Sequence, residues 1–471
     1  MSKKKITIYD ETLRDGVQSL WALKMTYGMT DAVAQEQDQG GFRAISFAVH
    51  AGYLQMAVRW GEDPWEVMRL LKRKIKNSKL STIWGPSQIN IDKPYEPPAI
   101  WKLLAEKLVE ASGLRCATFM SNSIDEVDRF PGWFAFLSGL GVESYPAINY
   151  YPSPRTTDEY FTNLTRKVMG FKPDRIYLKD AGGLLTVERL KTLLPIIMKE
   201  AKGIPVGIHT HGMSTNSGRV LVEAMKMGVD EVHTCVPPLA NGSSHTSVFD
   251  LVHNAKLLGI ETNINEKPLR VVEERLTAIA KQENLLIGAP LAYDHGVYIH
   301  QIPGGVMGTL KNQLSQMGLI NKLDEVLEEV PRVIKDLGYP IMITPHSQFV
   351  VTQATVNVAT GERYKEIIDN LVELALGVYG WEDSGARYMD PNLKDKILSS
   401  PNVKSISEKW AKNKAEADAN YPVKYYKEKY NMLNASDEDF LLYYIMHGDA
   451  EIKKMRALGG PENYKKYFTD K

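Results

Sequence analysis

The stretch Gly207-Ile-His-Thr-His211 sets two imidazoles two residues apart at the end of an apolar run. Side chains alternate across a strand, so His209 and His211 face the same way and can grip one metal ion. A lone His-x-His is weak evidence, but two other segments add to it. Ile176-Tyr-Leu-Lys-Asp180 reads as a short buried strand ending in Lys179 and Asp180, and the first strand runs out into Asp10-Glu-Thr-Leu-Arg-Asp15. Two neutral imidazoles and one carboxylate make an unsaturated site suited to Zn²⁺, Mn²⁺ or Co²⁺, with an open position for a substrate oxygen. Lys179 is the odd member, because an ammonium cannot ligate a cation. Burial beside a divalent ion lowers its pKa, and the neutral amine can then add CO₂ to become a carbamate, in effect a long carboxylate. The plainer reading makes Lys179 an ion-pair partner and the histidines hydrogen-bonded fixtures of a strand end. The shared strand-end placement favours the metal.

Those residues need elements to carry them. Short runs rich in Val, Ile and Phe recur with helix-period stretches between them, the pattern of βα units and a parallel sheet. The expected strands are Ile6–Tyr9, Ala44–Ala48, Leu80–Trp84, Leu114–Phe119, Glu143–Ile148, Arg175–Lys179, Pro205–His209 and Glu231–Cys235. Eight such units predict a (β/α)₈ TIM barrel over residues 1–285, whose chemistry sits at the C-terminal strand ends, where Asp15, Lys179, His209 and His211 fall. A doubly wound sheet is the rival, but no Gly-x-Gly-x-x-Gly follows the first strand. After about residue 285 the rhythm stops, and Pro290, Pro303, Gly304 and Gly305 mark an irregular crossover. Residues 286–471 then predict a mainly helical domain, with amphipathic stretches at Leu323–Leu337, Arg363–Val378 and Asp437–Met446. Glu408–Tyr430, interrupted by Pro422, predicts a solvated helical arm.

The chain has 471 residues with 57 basic and 57 acidic side chains, so its net charge points to neither nucleic acid nor an anionic membrane surface. Its two cysteines, Cys116 and Cys235, exclude a disulfide framework and lack metal-site spacing, which favours a reducing cytoplasm. The basic start Lys3-Lys-Lys5 lacks the apolar core of a signal peptide. No apolar run approaches the roughly 20 residues that span a bilayer.

Asp10-Glu-Thr-Leu-Arg-Asp-Gly-Val-Gln-Ser19, Leu178-Lys-Asp180, His209-Thr-His-Gly-Met-Ser-Thr215, Gln301-Ile-Pro-Gly-Gly305 and Thr344-Pro-His-Ser-Gln348 resemble the carboxyltransferase domain. Pyruvate carboxylase, the transcarboxylase 5S subunit and the oxaloacetate decarboxylase α subunit share that domain. The resemblance runs over nearly the whole chain, including Ser436-Asp-Glu-Asp-Phe-Leu441. It implies a barrel followed by a helical domain that helps form an active-site funnel. The implied metal ligands are Asp15, carbamylated Lys179, His209 and His211. Gln18 matches a residue that touches the oxo-acid, and Thr344 a threonine that shuttles a proton between biotin and the substrate enol. The wider superfamily of aldol and Claisen lyases and synthases shares the Asp and the His-x-His and generally lacks the Lys. A homodimer is implied, with any biotin arriving on a separate carrier protein.

The departures fall at substrate positions. Val17 stands where the family usually has His, and Ile83-Trp-Gly-Pro-Ser-Gln88 lacks the Arg that clamps a carboxylate. The fourth strand ends in Cys116-Ala-Thr-Phe-Met-Ser121, and the second in Ser46-Phe-Ala-Val-His50, which puts His50 on the substrate side as a candidate acid or base. Only Arg offers the planar fork of a bidentate clamp, so a substrate other than simple pyruvate is expected. Ala224-Met-Lys-Met227 spells a biotin attachment tetrapeptide, yet its flanking periodicity is helical, which argues against biotin on Lys226. Of the remaining histidines, His245 follows the last strand and can line the barrel mouth.

The first expectation is therefore a metal-dependent carboxyltransferase or decarboxylase acting on a small carbonyl substrate at a carbon next to the carbonyl, through a stabilised enolate. The alternative is a biotin-independent lyase or hydrolase that cleaves a C–C bond or opens a ring with metal-activated water. A non-catalytic scaffold has no physical need for four convergent ligands.

Overall fold

Parallel strands covered by helices on the outside and by one another on the inside are written as unbroken apolar runs. Here they are β1 (Thr7–Asp10), β2 (Ala44–Ser46), β3 (Lys79–Trp84), β4 (Cys116–Phe119), β5 (Glu143–Asn149), β6 (Ile176–Asp180), β7 (Val206–Thr210) and β8 (Glu231–Thr234). Each pairs in parallel with the next, and β8 returns to β1 in the register Tyr9↔His233 and Asp10↔Thr234, closing the barrel. The computed structural model describes residues 5–47, 51–84, 96–120, 127–128, 130–343, 345–380 and 386–468. The strand ends agree with the sequence reading to within two residues.

The helices between strands begin where a side chain can satisfy an orphan N–H. Thr157 and Thr186 accept from the backbone N–H groups of Tyr160 and Arg189, and Asp63, just before Pro64, accepts from Trp65. Helix Val187–Ala201 then buries Leu190, Leu193, Leu194 and Ile197, the three- and four-residue spacing of one face.

The barrel interior is unusually polar for this fold. Tyr9, Tyr145 and Tyr177 cluster with the small residues Ala44, Cys116 and Ala147, and His233 is stacked between Tyr9 and Tyr177 at 4.3 and 5.1 Å. Gly207 makes room for this layer, since a Cβ there would lie 2.0 Å from the Tyr145 hydroxyl. Beneath it the fully buried Glu231 pairs with Arg43, which also reaches Glu143 at 3.0 Å.

Beyond residue 285 helices dominate. Those at Gly304–Gln316, Leu323–Asp336, His346–Thr360 and Asp369–Ala375 build a second core around Leu310, Val330, Val350 and Leu371. The helix expected over 363–378 spans only Asp369–Ala375. Arg363 is drawn to Glu329 at 2.7 Å and Tyr364, at positive φ, donates to Asp336 at 2.9 Å, so local side-chain bonds compete with the helix. The stretch 408–430 forms parts of two helices, Val403–Ala419 and Val423–Lys429. It bridges the two cores, because Trp410 is buried in the second and Tyr426 in that of the barrel. Helix Asp437–Met446 packs on the barrel helices Ala51–Arg59 and Pro98–Ser112.

Candidate metal centre

The turn after β1 brings the first carboxylate into place. Thr12–Gly16 forms a π-helical turn, a geometry frequent at functional sites, and all five residues are buried. Asp10 holds its start by accepting from the Thr12 N–H and from Gln37 Nε2, 2.7 Å away. Asp15 then faces the barrel axis.

On β7, Ile208 and Thr210 alternate with Gly207 and His209, so the imidazole points inward. His211, just past the strand, is fixed by its Nδ1, which donates to the Ser243 carbonyl at 2.8 Å and turns Nε2 toward Asp15, whose charge pulls the imidazole's pKa up against burial. An isolated bridge between His211 and His245 draws the loop after β8 into the same space. The result is one convergence point. Asp15 Oδ2 lies 3.2 Å from Nε2 of His209, 3.2 Å from Nε2 of His211 and 3.3 Å from Nε2 of His245, and the first two nitrogens are 3.3 Å apart.

These spacings test whether a metal fits. Ligands bound at about 2.0–2.1 Å in a tetrahedral site sit about 3.3–3.4 Å from one another, and the observed separations are close to that. The donor set of one carboxylate and imidazoles suits Zn²⁺, Mn²⁺ or Co²⁺. Burial opposes the charge of Asp15, but Arg14, 2.9 Å away, and the histidines hold its carboxyl well below the usual range. Burial, with His211 adding, pushes His245 down to about 4, and burial with Lys179 keeps His209 well below its ordinary value. The carboxylate is therefore charged and those two imidazoles neutral, as ligands must be.

Lys179 stands beside His209, its register partner across β6 and β7. It is 4% exposed, its backbone carbonyl accepts from the Tyr150 N–H at 2.7 Å, and its ammonium makes no hydrogen bond or ion pair among the described residues, so the ion-pair alternative has no partner there. Burial pushes its ammonium down to about 8 against the pull of Asp15. Asp180, the next residue, faces away and ties down its loop by accepting from the Leu184 and Leu185 N–H groups and from the Thr210 hydroxyl. It is no ligand.

The other sequence candidates are placed differently. Gln18 is exposed on the short helix Val17–Trp21, three residues beyond Asp15. His50 and Thr344 lie outside the described residues. Lys226 is in the helix Ser217–Met227, exposed and near Glu223, in keeping with its being no biotin-bearing hairpin residue. Three residues in or beside the centre go beyond the ligand set expected from the sequence: His245, which joins the convergence point, and Glu11 and His233, which approach His209 from its other side. A signal for His233 exists in the sequence. Glu231 and His233 alternate along β8, setting polar groups on the face that should be apolar.

An eight-stranded barrel with its convergent groups at the C-terminal strand ends and a helical extension is the architecture of a TIM-barrel enzyme. Residues 5–276 match the family described as HMGL-like, and residues 297–459 match a conserved carboxylase domain. The chain is 28% identical over 461 residues to a pyruvate carboxylase subunit from Methanocaldococcus jannaschii, covering 96% of this chain and 78% of that one. It is 30% identical over 446 residues to the 2-oxoglutarate carboxylase large subunit of Hydrogenobacter thermophilus, covering 94% and 67%. To the methylmalonyl-CoA carboxyltransferase 5S subunit of Propionibacterium freudenreichii subsp. shermanii it is 25% identical over 470 residues, covering 98% and 89%. In fold it is similar to the carboxyl transferase domain of Rhizobium etli pyruvate carboxylase with oxamate and biotin, with a TM-score of 0.81 at 20% identity, covering 98% of this chain and 78% of that one. The chain belongs to the carboxyltransferase family, with an HMGL-like barrel and a carboxylase domain, and is a carboxyltransferase-like enzyme.

Proposed function

We propose that this chain transfers a carboxyl group between a separate biotin carrier protein and a small substrate whose reacting carbon lies next to a carbonyl. The observation that carries it is the convergence of Asp15 and the His209, His211 and His245 Nε2 atoms at 3.2–3.3 Å, beside the buried Lys179, whose ammonium has no partner among the described residues. Asp15, His209 and His211, with Lys179 as its carbamate, would hold a divalent ion such as Zn²⁺, Mn²⁺ or Co²⁺, and His245 is within reach of the same ion. That ion, when bound, supplies Lewis acidity to polarise the carbonyl and stabilise the enolate.

The chain's own residues do the rest. Arg14 keeps Asp15 ionised, and Gln18 at the mouth can orient a polar group of the substrate. By the family resemblance Thr344 relays the proton between substrate carbon and biotin, and His50 serves as an acid or base. Residues 286–471 close part of the funnel and exclude water. Ile341 and Ile343 support this by packing with Tyr151, Met120 and Ala181 above the ends of β4, β5 and β6. A biotin carrier as partner is supported by the biotin and biocytin bound in the Rhizobium etli domain. Assembly as a homodimer in the cytoplasm follows from the family resemblance and from the composition, and no helix among the described residues is long and apolar enough to cross a membrane.

The ends of β3 and β4 carry Ile83, Trp84, Thr118 and Met120, with no cationic side chain among the described residues there. This favours a substrate other than simple pyruvate. It is also what favours the second reading, a biotin-independent lyase or hydrolase.

The test is metal content by mass spectrometry on the wild type and on Lys179→Ala. On the same samples, decarboxylation of oxaloacetate, oxalosuccinate and methylmalonyl-CoA is followed with and without free biotin. We expect about one ion per chain in the wild type, lost from the variant, and biotin-stimulated turnover of at least one of the three. Turnover indifferent to biotin favours the second reading, and absence of metal from both proteins overturns the site.

A further inference from the structure

His209 is addressed from two sides. Its Nε2 faces Asp15, while its Nδ1 lies 3.3 Å from Glu11 Oε1 and 3.2 Å from His233 Nδ1. Glu11 Oε1 is in turn 3.1 Å from His233 Nδ1, and Glu11 Oε2 accepts from Arg14 Nη2 at 2.7 Å and Nε at 3.1 Å. His233 is clamped between Tyr9 and Tyr177, with its Nε2 3.2 Å from the Tyr145 hydroxyl. Glu11 and His233 are almost completely buried and are absent from the convergence point, so their order has to be explained by what they do for His209.

A neutral imidazole has one ring proton, and two carboxylates compete for it. If Asp15 takes it, Nε2 carries the hydrogen and cannot bind a cation. If Glu11 takes it, Nδ1 carries the hydrogen and the Nε2 lone pair points at Asp15. Glu11 is pre-aimed for the second outcome by Arg14, which occupies its other oxygen. His233 closes the other side of the same carboxylate oxygen, its Nδ1 3.1 Å from Glu11 Oε1, so Glu11 is held between Arg14 and the two imidazoles.

We propose that Glu11, braced by Arg14 and His233, is the positioning residue that selects the metal-binding tautomer of His209 and fixes its ring. This rests on the metal-centre reading above. The carboxylate lies outside the group of Asp15, His209, His211 and His245, so it would act through the imidazole. Replacing it by an amide of the same shape breaks the device, because a Gln at this place either turns its NH₂ on Arg14 or donates to Nδ1 and drives the hydrogen to Nε2.

The experiment is Co²⁺ titration of metal-free wild type, Glu11→Gln and His233→Phe, competed against a chelator and read by the visible spectrum of the bound ion. The rise in melting temperature on adding Co²⁺ is measured for each. We expect Glu11→Gln to weaken Co²⁺ binding about 10–100-fold, to alter the spectrum and to shrink the metal-induced rise. His233→Phe, which keeps a ring between the two tyrosines, should fall between it and the wild type. The metal-induced rise separates affinity from folding, since a purely structural role lowers the melting temperature of the apo and metal-loaded proteins alike. Unchanged affinity and spectrum in both variants overturn the proposal and leave the metal centre standing. A second Co²⁺ per wild-type chain, lost in either variant, overturns it in favour of a metal site at Glu11, His209 and His233. If Glu11→Gln does not fold, His233→Phe decides alone. A wild type that binds no Co²⁺ overturns the metal centre itself, and the positioning role with it.

Discussion

At the residue scale the molecule places several ionisable groups where water cannot reach them, and each leaves a mark on its pH behaviour. His346 is the cleanest case. It is 1% exposed, has no hydrogen-bond partner for either ring nitrogen among the described residues, and is pushed down to about 3 by burial. Its folded pKa lies below the unfolded value, so the stability it contributes is complete above about pH 6.5. That stability is lost as pH falls towards about 3, because only the unfolded chain takes up the proton. Between pH 7.5 and pH 5 the wild type should lose about 2 kcal/mol more than His346→Leu, read by chemical denaturation at the two pH values. Equal losses in the two proteins would show that His346 is solvated. The convergence point of Asp15 and the histidines illustrates what a sequence discloses at this scale. His209 and His211 are legible because strand alternation fixes their relation within three residues, and Asp15 because it closes the segment Asp10–Asp15 into which the first strand runs. Alternation along β8 turns His233 inward, but its meeting with Glu11, and that of His245 with Asp15, rest on the closing register of β8 on β1 and on an irregular loop, which local periodicity does not encode.

At the element scale the eight strands were readable because burial on both faces writes them as apolar runs bounded by turn residues. The contents of the barrel were not, since alternation says which residues point inward but not which rings will meet. Gly207 shows the difference. Its missing side chain is where the Tyr145 hydroxyl sits, and that hydroxyl reaches His233. Gly207→Ala should therefore overpack the layer and cost about 1–3 kcal/mol, with Co²⁺ affinity lowered as His233 is displaced. A melting temperature and affinity equal to the wild type would mean that the layer yields freely. The shortened helix at Asp369–Ala375 teaches the same lesson outside the barrel: apolar spacing continued through 363–368, but Arg363 and Tyr364 found carboxylates across the fold instead.

For the whole molecule, the C-terminal stretch leaves the second core and returns to the first. The segment from Val423 onward lies on the barrel, with Phe440, Leu441, Leu442 and Ile445 buried in its core. Arg69 holds Glu438 with both guanidinium ends at 3.0–3.1 Å, and the Tyr444 hydroxyl donates to Glu96 at 2.7 Å. The sequence showed this helix and its apolar spacing, but no pattern within it names the surface it covers. Phe440→Ala should cost about 3–5 kcal/mol and lower the first thermal transition of the protein in calorimetry. A shift confined to a separate transition of residues 302–410 would place the tail with the second core instead.

The seam between β8 and β1 has one more consequence. Asp15 and His245 are 230 residues apart along the chain and meet only where the last strand closes on the first. A nascent or partly unfolded chain offers a cation His209 and His211 alone, held by one strand end. The full grip arises only after the ring of strands has shut. Capture of the proposed ion would thus act as a latch on the completed topology: it would favour the closed ring over every open intermediate and link the final, long-range folding step to the concentration of free metal around the chain.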